Sequence, residues 1–481
     1  MERAGDVWGQ GAVRVHMGKL AHAQDDTDGA LRSWKKALEL FTRVGDDAGR
    51  STVLHNLGTL YSSKWGDIDW ALQFLEQAFQ SRQRTGDVLG AAASLSQIAQ
   101  CLVRQGDLPR ALSLWEQTLE VFEKGGDVRH ALSTLGAMAE AAVSRGDPPR
   151  ALASWQRKLA LHEKAGDLPG RFATLGVMAG FFDKQGDTPR ALELWQQVLA
   201  FHEQRNNDEG KANALLEMGR ACSQRGDFPR ALEFWMPAIG LLEKLGTLQP
   251  LASVLSQASL LTVWVGDIPR GLELARRTLA LQERLGDTYG QSSTLGFMAQ
   301  VLSRHGDGPT ALTLLRRALE LIERLDKPSD HASLVETLAG VLAEQGQDAQ
   351  AFEHMQRALA LYDKLDDMRA KAMALAHWGK ILLKRGDPAN ALKYQAQALE
   401  LHKKSGDAGL RAHTLSNMGT AVAQLGDVSR ALLFWQQALE LFEQLGDEKG
   451  KATTLSNMAR LTARQDAHHR AAAAKGEPPL T

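Results

Sequence analysis

The dipeptide Gly-Asp returns about every forty residues in this chain, and this regularity constrains the fold more than any other feature. One series begins at residues 66, 106, 146, 186, 226, 266, 306, 386 and 426, and Gly346-Gln347 interrupts it. A second begins at 5, 45, 86, 126, 166, 286, 406 and 446, and decays to Asn206-Asn207, Gly246-Thr247, Asp326-Lys327 and Asp366-Asp367. Only one extra residue, near Trp65, disturbs the spacing. Such a period indicates a repeat array in which each unit packs on its neighbours.

The segments between these turns have the apolar periodicity of amphipathic helices. In 408–425, Leu415 and Met418 belong to a series of apolar or small residues at spacings of three and four. In 428–445, Trp435 belongs to a similar series. Strand signals are absent, because β-branched residues are sparse and do not alternate with polar ones. The sequence therefore predicts an all-α chain of successive antiparallel helix pairs.

The Gly-Asp dipeptide has the chemistry of a helix-to-helix turn. Gly106 can adopt the left-handed conformation that closes a helix, and Asp107 can cap the next one by accepting from its free N–H groups. Pro109 then falls in the first turn, where its missing N–H costs nothing. The alternative is a ligand site, but each aspartate belongs to a separate turn. We interpret the dipeptide as structural.

The two helices of a repeat carry different patterns. The first has a large–small pair such as Leu57-Gly58, and the second has a set such as Ala111, Trp115 and Thr118. One equivalent position of the second helix, interpreted as core, is occupied by Trp34, Trp115, Trp155, Trp195, Trp235 and Trp435.

These features resemble tetratricopeptide repeats, and the 40-residue period resembles that of Pins/LGN-type adaptors and of bacterial repeat arrays. The resemblance implies a right-handed α-solenoid of tandem helix–turn–helix repeats. It further implies an adaptor that holds extended peptides along a concave surface lined by the first helices.

The repeat positions divide the chain into four parts. They are an N-terminal stub or partial repeat (1–6), eleven helix pairs (7–445), a final unpaired first helix (446–464), and a capping segment or disordered tail (465–481).

The residues predicted to line the concave surface are mostly small and weakly polar. The candidate groove contacts among them are Asn213, Glu217, Arg220, Gln300, His377, Lys380 and His413. Asn213, Glu217 and Arg220 share one side of a helix, and the alternative to a binding role is a solvated face with an internal ion pair. The clamp that binds chaperone C-termini is not matched, because positions such as His55 and Ser96 replace its first lysine.

A ladder of five arginines follows the capping aspartates. It could receive an acidic partner, or each arginine could pair with its own aspartate; the members are Arg110, Arg150, Arg190, Arg230 and Arg270.

Charge and composition argue against several classes of protein. The 56 basic and 57 acidic side chains leave no field that would attract nucleic acid or a membrane. Two isolated cysteines and no signal-peptide pattern predict a cytoplasmic protein. The segment GDEKGKAT (446–453) has Ala452 where a phosphate-binding loop needs Ser or Thr. We therefore expect no cofactor, no metal and no enzymatic activity.

Three functional hypotheses follow. The first is an interaction scaffold that binds a protein or peptide, as an extended segment or a helix. The second is the sensor arm of a larger signalling ATPase or transcriptional regulator. The third is self-assembly through the C-terminal helix, where Leu455, Met458 and Leu461 would be covered on one side only.

Overall fold

A computed structural model describes the backbone of residues 2–474 and the side chains of residues 7–463. Within these limits the chain forms 23 α-helices and one π-helical turn, with no strand, so the predicted all-α repeat fold is confirmed. The chain divides into two compact units, residues 1–225 and 226–481.

In both units, odd-numbered helices correspond to the first helix of a repeat and even-numbered helices to the second. The helices of unit 1 are α1 (Glu2–Ala23), α2 (Thr27–Val44), α3 (Asp47–Leu60), α4 (Ile68–Thr85), α5 (Val88–Gln105), α6 (Leu108–Lys124), α7 (Val128–Ser144), α8 (Pro148–Lys164), α9 (Leu168–Lys184), α10 (Thr188–Gln204) and α11 (Asp208–Gln224). Those of unit 2 are α12 (Phe228–Leu245), α13 (Leu248–Trp264), α14 (Ile268–Leu285), α15 (Thr288–Arg304), α16 (Gly308–Ile322), α17 (Pro328–Glu344), α18 (Asp348–Lys364), α19 (Met368–Lys384), α20 (Pro388–Ser405), α21 (Ala408–Gln424), α22 (Val428–Leu445) and α23 (Glu448–Ala474).

The two ends of the chain are helical as far as they are described. Helix α1 begins at Glu2, so most of the predicted stub 1–6 is continuous with the first helix. Helix α23 continues past residue 464 to Ala474. The rest of the predicted tail, 475–481, lies outside the described residues.

The Gly-Asp junction joins two helices as the sequence predicts. Gly106 has φ +96°, its N–H donates to Val103 O at 3.0 Å, and the Asp107 N–H donates to Leu102 O at 2.9 Å. This is the Schellman pattern, which satisfies two free carbonyls at the end of α5. The Asp107 carboxylate then accepts from the N–H of Arg110 at 3.2 Å, which caps α6. Asp107 therefore closes one helix with its backbone and opens the next with its side chain.

Some junctions that depart from Gly-Asp keep its left-handed residue, and others lose the side-chain cap; at Asp326-Lys327 the left-handed residue is also absent and α16 ends early, at Ile322. Asn206 and Asp366 replace glycine and have φ +51° and +53°. Thr247, Lys327 and Gln347 replace the capping aspartate and make no side-chain capping bond.

The extra residue near Trp65 is accommodated by a π-helical turn, Tyr61–Trp65. The Gly66 N–H donates to Tyr61 O, five residues earlier, so the turn holds one more residue than an α-helical turn. The repeat period resumes at Gly66, which has φ +66°, and the Asp67 carboxylate caps α4 by accepting from the Trp70 N–H.

The two helices of a pair are joined through the tryptophan position of the second helix and the small position of the first helix. The indole N–H of the tryptophan position donates to the carbonyl 19 residues earlier, at 3.2 Å from Trp115 to Ser96 and 3.0 Å from Trp435 to Ser416. Gln395 replaces the tryptophan in its repeat, and its amide donates to the equivalent carbonyl, Ala376 O, at 2.8 Å. The small position allows this close approach, because a methyl group on Gly419 would lie 2.6 Å from the Trp435 ring.

Candidate functional site

Two adjoining cavities lie along the first helices of unit 1, between α7 and α11. The smaller has a volume of about 300 Å³ and the larger about 590 Å³, and both are lined by Ala173 and Val177 of α9. We call them the Lys158 cavity and the Trp195 cavity, and together the first-helix groove. Ala173 and Val177 are exposed, so they form the open boundary between the cavities.

The Trp195 cavity is largely apolar. Phe172 and Phe201 stack within it, with ring centroids 4.1 Å apart. Its lining residues are Pro169, Phe172, Ala173, Gly176, Val177, Trp195, Val198, Phe201, His202, Asn207, Glu209, Gly210, Asn213 and Ala214.

Trp195 differs from the other tryptophans of its position. Trp115, Trp155, Trp235 and Trp435 are buried, whereas Trp195 is half-buried and lines the cavity. Its ring lies over Gly176, where a methyl group would be 3.3 Å away. The indole N–H is sequestered and has no hydrogen-bond partner among the described residues. Trp195 packs against the core cluster of Leu175, Val198 and Ala214 and also lines the cavity.

The Lys158 cavity is more polar. It is lined by Leu132, Ser133, Gly136, Glu140, Trp155, Lys158, His162, Gly170, Ala173, Thr174 and Val177. His162 is almost fully buried, and its Nδ1 lies 2.8 Å from Asp167 Oδ2. Its Nε2 is buried and has no hydrogen-bond partner in the described part of the chain. The hydrogen bonds that Asp167 accepts from the Gly170 N–H and from His162 lower the pKa of its carboxyl, so it is the anionic partner of the imidazole.

An equivalent cavity of about 490 Å³ lies between α13 and α15 in unit 2. Ser256, Gln257 and Ser293 line it at positions that correspond to Gly176, Val177 and Asn213. It lacks the aromatic stack and the tryptophan of the Trp195 cavity. The aromatic stack and the tryptophan are therefore local features of unit 1, whereas a cavity at this position occurs in both units.

The predicted groove residues of unit 1 separate into two groups. Asn213 is exposed and lines the Trp195 cavity. Arg220 donates from Nε to Glu217 Oε2 at 2.9 Å, and its Nη1 lies 3.0 Å from Asp183 Oδ2 on α9. Burial disfavours the charged guanidinium, but Glu217 and Asp183 outweigh this effect and raise the pKa of Arg220. Glu217 and Arg220 thus form an internal ion-pair network.

The predicted groove residues of unit 2 mostly connect neighbouring first helices. Gln300 Nε2 donates to Thr337 Oγ1 at 3.3 Å. His377 Nδ1 lies 3.1 Å from Glu336 Oε1, and His413 Nε2 lies 3.6 Å from Asp447 Oδ2. Each pair joins one repeat to the next, and none lines the first-helix groove.

Glu336, the partner of His377, makes a second contact, and Lys380 is the remaining predicted groove residue of unit 2. Glu336 also accepts a hydrogen bond from the Tyr362 hydroxyl at 3.1 Å. Burial and the nearby Glu336 carboxylate raise the pKa of Tyr362. Lys380 is exposed.

Three arginines of the predicted ladder pair with their own capping aspartates. The distances are 3.5 Å for Arg110–Asp107, 3.4 Å for Arg150–Asp147 and 3.2 Å for Arg190–Asp187. This geometry favours the interpretation of the ladder as local ion pairs.

We also searched the described part of the chain for metal sites and for membrane-spanning helices. The described residues contain no cluster of three or more His, Cys, Asp or Glu side chains suited to a metal ion. Within the same part, no helix has the length and apolar character needed to cross a bilayer.

The apolar residues of α23 that the sequence analysis singled out are only partly covered. Met458 and Leu461 pack on the cluster around Trp435, whereas Leu455 is 46% exposed.

Comparison with known protein families identifies the repeat. A tetratricopeptide repeat model matches residues 10–84, 90–164, 329–404 and 370–444, more than half of the chain. The chain belongs to the tetratricopeptide repeat family. A second tetratricopeptide repeat model matches residues 212–235, and a search of curated proteins finds no significant match.

Several solved structures resemble this tetratricopeptide repeat protein in fold. The apo form of RapI is 11% identical, with a TM-score of 0.46 over 57% of this chain and 99% of that one. Aspartyl phosphate phosphatase F from Bacillus subtilis is 12% identical, with a TM-score of 0.40 over 74% and 94% of the two chains. Yeast Tom70 is 14% identical, with a TM-score of 0.35 over 88% and 97%. At these values the likeness concerns the helical repeat fold alone.

Proposed function

We propose that this tetratricopeptide repeat protein is a non-enzymatic interaction scaffold that holds a segment of another protein in the first-helix groove of unit 1. Repeat solenoids provide extended surfaces for binding. The observation that carries the proposal is the Trp195 cavity, where a half-buried indole with an unpartnered N–H lies beside the Phe172–Phe201 stack. An apolar side chain could occupy this cavity against the Trp195 ring and the Phe172–Phe201 stack.

The chemistry of the groove favours a peptide over a reacting substrate. Asn213 offers an amide at the rim of the Trp195 cavity, and such groups pair with the backbone of an extended chain. Aromatic side chains provide large contact areas at low conformational cost, as in many interaction hot spots. The acid–base pairs at Arg220 and His377 are engaged in contacts between repeats.

Val177 offers a way to block the groove without touching the core. It lines both cavities and is 55% exposed, so Val177→Asp adds charge at the opening and removes little buried area. Val13→Asp is a matched control, because Val13 is 58% exposed on another first helix and lines neither cavity.

The test is selection of peptides from a phage-displayed random 12-residue library on the immobilised full chain. We expect peptides with a large apolar residue to be enriched. Synthetic versions should bind the Val177→Asp variant at least tenfold more weakly, measured by fluorescence anisotropy, and the Val13→Asp variant with unchanged affinity. No enrichment on the wild-type chain, or equal binding to Val177→Asp, would refute the proposal.

A further inference from the structure

Lys158, in the second helix of its repeat, is a charged residue at a position that is uncharged in the other repeats. The equivalent residue in every other helix pair is Ala, Thr or Val, and each is buried, as at Ala78, Thr118 and Ala238. Lys158 instead carries an ammonium group at this position. A charged group in a partly apolar site is costly unless it is solvated or paired, so its surroundings need an explanation.

The structure provides space for Lys158 but no protein partner. Gly136 lies opposite, and a methyl group there would be 3.3 Å from the Lys158 Nζ. Lys158 is half-buried in the cavity wall. Neither Lys158 nor Glu140, which lines the same cavity, has an ion-pair or hydrogen-bond partner among the described residues. Most other charged side chains discussed above are paired, so these two are available to a ligand.

We propose that the Lys158 cavity receives an acidic side chain, Asp or Glu, of the peptide whose apolar side chain occupies the Trp195 cavity. This inference rests on the proposed function and specifies the chemical class of the partner. The carboxylate would pair with the Lys158 ammonium, which has no partner among the described residues. A phosphate is disfavoured, because its second negative charge would face Glu140 in the same small cavity.

The arrangement of the two cavities sets the spacing of the motif. One lies between α7 and α9 and the other between α9 and α11, and the two adjoin at Ala173 and Val177 of α9. An extended chain rises about 3.3 Å per residue, so the acidic and apolar side chains should be about two to four positions apart.

The variants that test this inference are conservative for the fold. Lys158→Ala installs the residue that other repeats carry at this position, and Lys158→Met keeps the aliphatic stem while removing the charge. Lys164→Ala is the matched control, because it removes the same charge from an exposed position on the same helix, outside the Lys158 cavity. Circular dichroism should show the same helical content and melting profile for all of them.

The experiment repeats the library selection with the wild-type chain and each variant as bait. The wild-type and Lys164→Ala chains should enrich peptides with Asp or Glu at a fixed distance from the apolar residue. Lys158→Ala and Lys158→Met should enrich the apolar residue alone. A synthetic consensus peptide should bind Lys158→Ala about five- to tenfold more weakly. Changing its acidic residue to the amide should weaken binding to the wild type equally and leave binding to Lys158→Ala unchanged.

The outcomes separate this inference from the proposed function. If no peptide is enriched by any bait, the proposed function fails. If apolar peptides are enriched without an acidic position, or if Lys158→Ala retains the acidic preference, only this inference fails. Tighter binding of a phosphoserine peptide than of its aspartate counterpart would also overturn it.

Discussion

Trp115 and Trp195 occupy the same position in two repeats, but their replacement by alanine should have different effects on stability. Trp115 is 1% exposed and donates to Ser96 O at 3.2 Å. Trp115→Ala should therefore lower the local free energy of unfolding by about 3–5 kcal/mol, the range for emptying a large aromatic site in a core. About 1 kcal/mol of this is the lost hydrogen bond.

Trp195→Ala should cost only about 1–2 kcal/mol, for three reasons. The ring is half-buried, so less apolar area returns to water. Its removal enlarges a cavity that is already open, rather than creating a sealed void. The indole N–H has no partner among the described residues, so no known hydrogen bond is lost.

The measurement should be local, because repeat arrays do not unfold in a two-state manner. Amide hydrogen exchange read by mass spectrometry reports the opening free energy of individual helices. Trp115→Ala should raise exchange in α5–α8, and Trp195→Ala should raise it less, in α9–α11. Equal costs at the two sites, or one uniform shift of the thermal melt, would contradict this reasoning.

Three further predictions concern the junctions and the half-buried His55. Gly106→Ala should destabilise α5 and α6 by about 1–2 kcal/mol because Gly106 has φ +96°, and unchanged exchange there would contradict it. Gln347→Asp should stabilise α18 by about 0.5–1 kcal/mol by supplying the absent cap, measured as slower exchange in its first turn. Burial and the charge of Arg82 lower the pKa of His55 from 6.5 to about 3, so the unfolded state binds more protons below pH 6.5. The free energy of local opening of α3, measured by amide hydrogen exchange, should fall by about 1.4 kcal/mol per pH unit between pH 6 and 4, and His55→Asn should flatten this slope.

The helices and their junctions could be predicted from the sequence because their causes are local. Gly106 and Asp107 act through their own backbone and the nearest turns. The sequence also revealed the extra residue near Trp65. It did not predict the π-helical turn that accommodates this residue, since a loop or a longer junction would satisfy the same spacing.

The candidate site was only partly predictable because it depends on contacts between repeats. Asn213 was found from its place on the first helix, and it lines the Trp195 cavity. Arg220 was found in the same way, but Asp183, its partner on the preceding first helix, was not. Trp195 resembled its counterparts in type, and only the packing around Gly176 distinguishes it. Lys158 was not predicted, although the sequence contains the signal: comparison of equivalent positions shows a charged residue where the other repeats have Ala, Thr or Val.

The doubled role of aspartate at each junction has a consequence for how such a gene can change. Because Asp107 closes one helix and caps the next with atoms of a single residue, recombination between two Gly-Asp codon pairs of the same series regenerates an intact boundary. The array can therefore gain or lose whole repeats without any change in the sequence of the helix-to-helix junction. Loss or gain of a single codon, in contrast, has to be absorbed inside a helix, as the turn at Tyr61–Trp65 records.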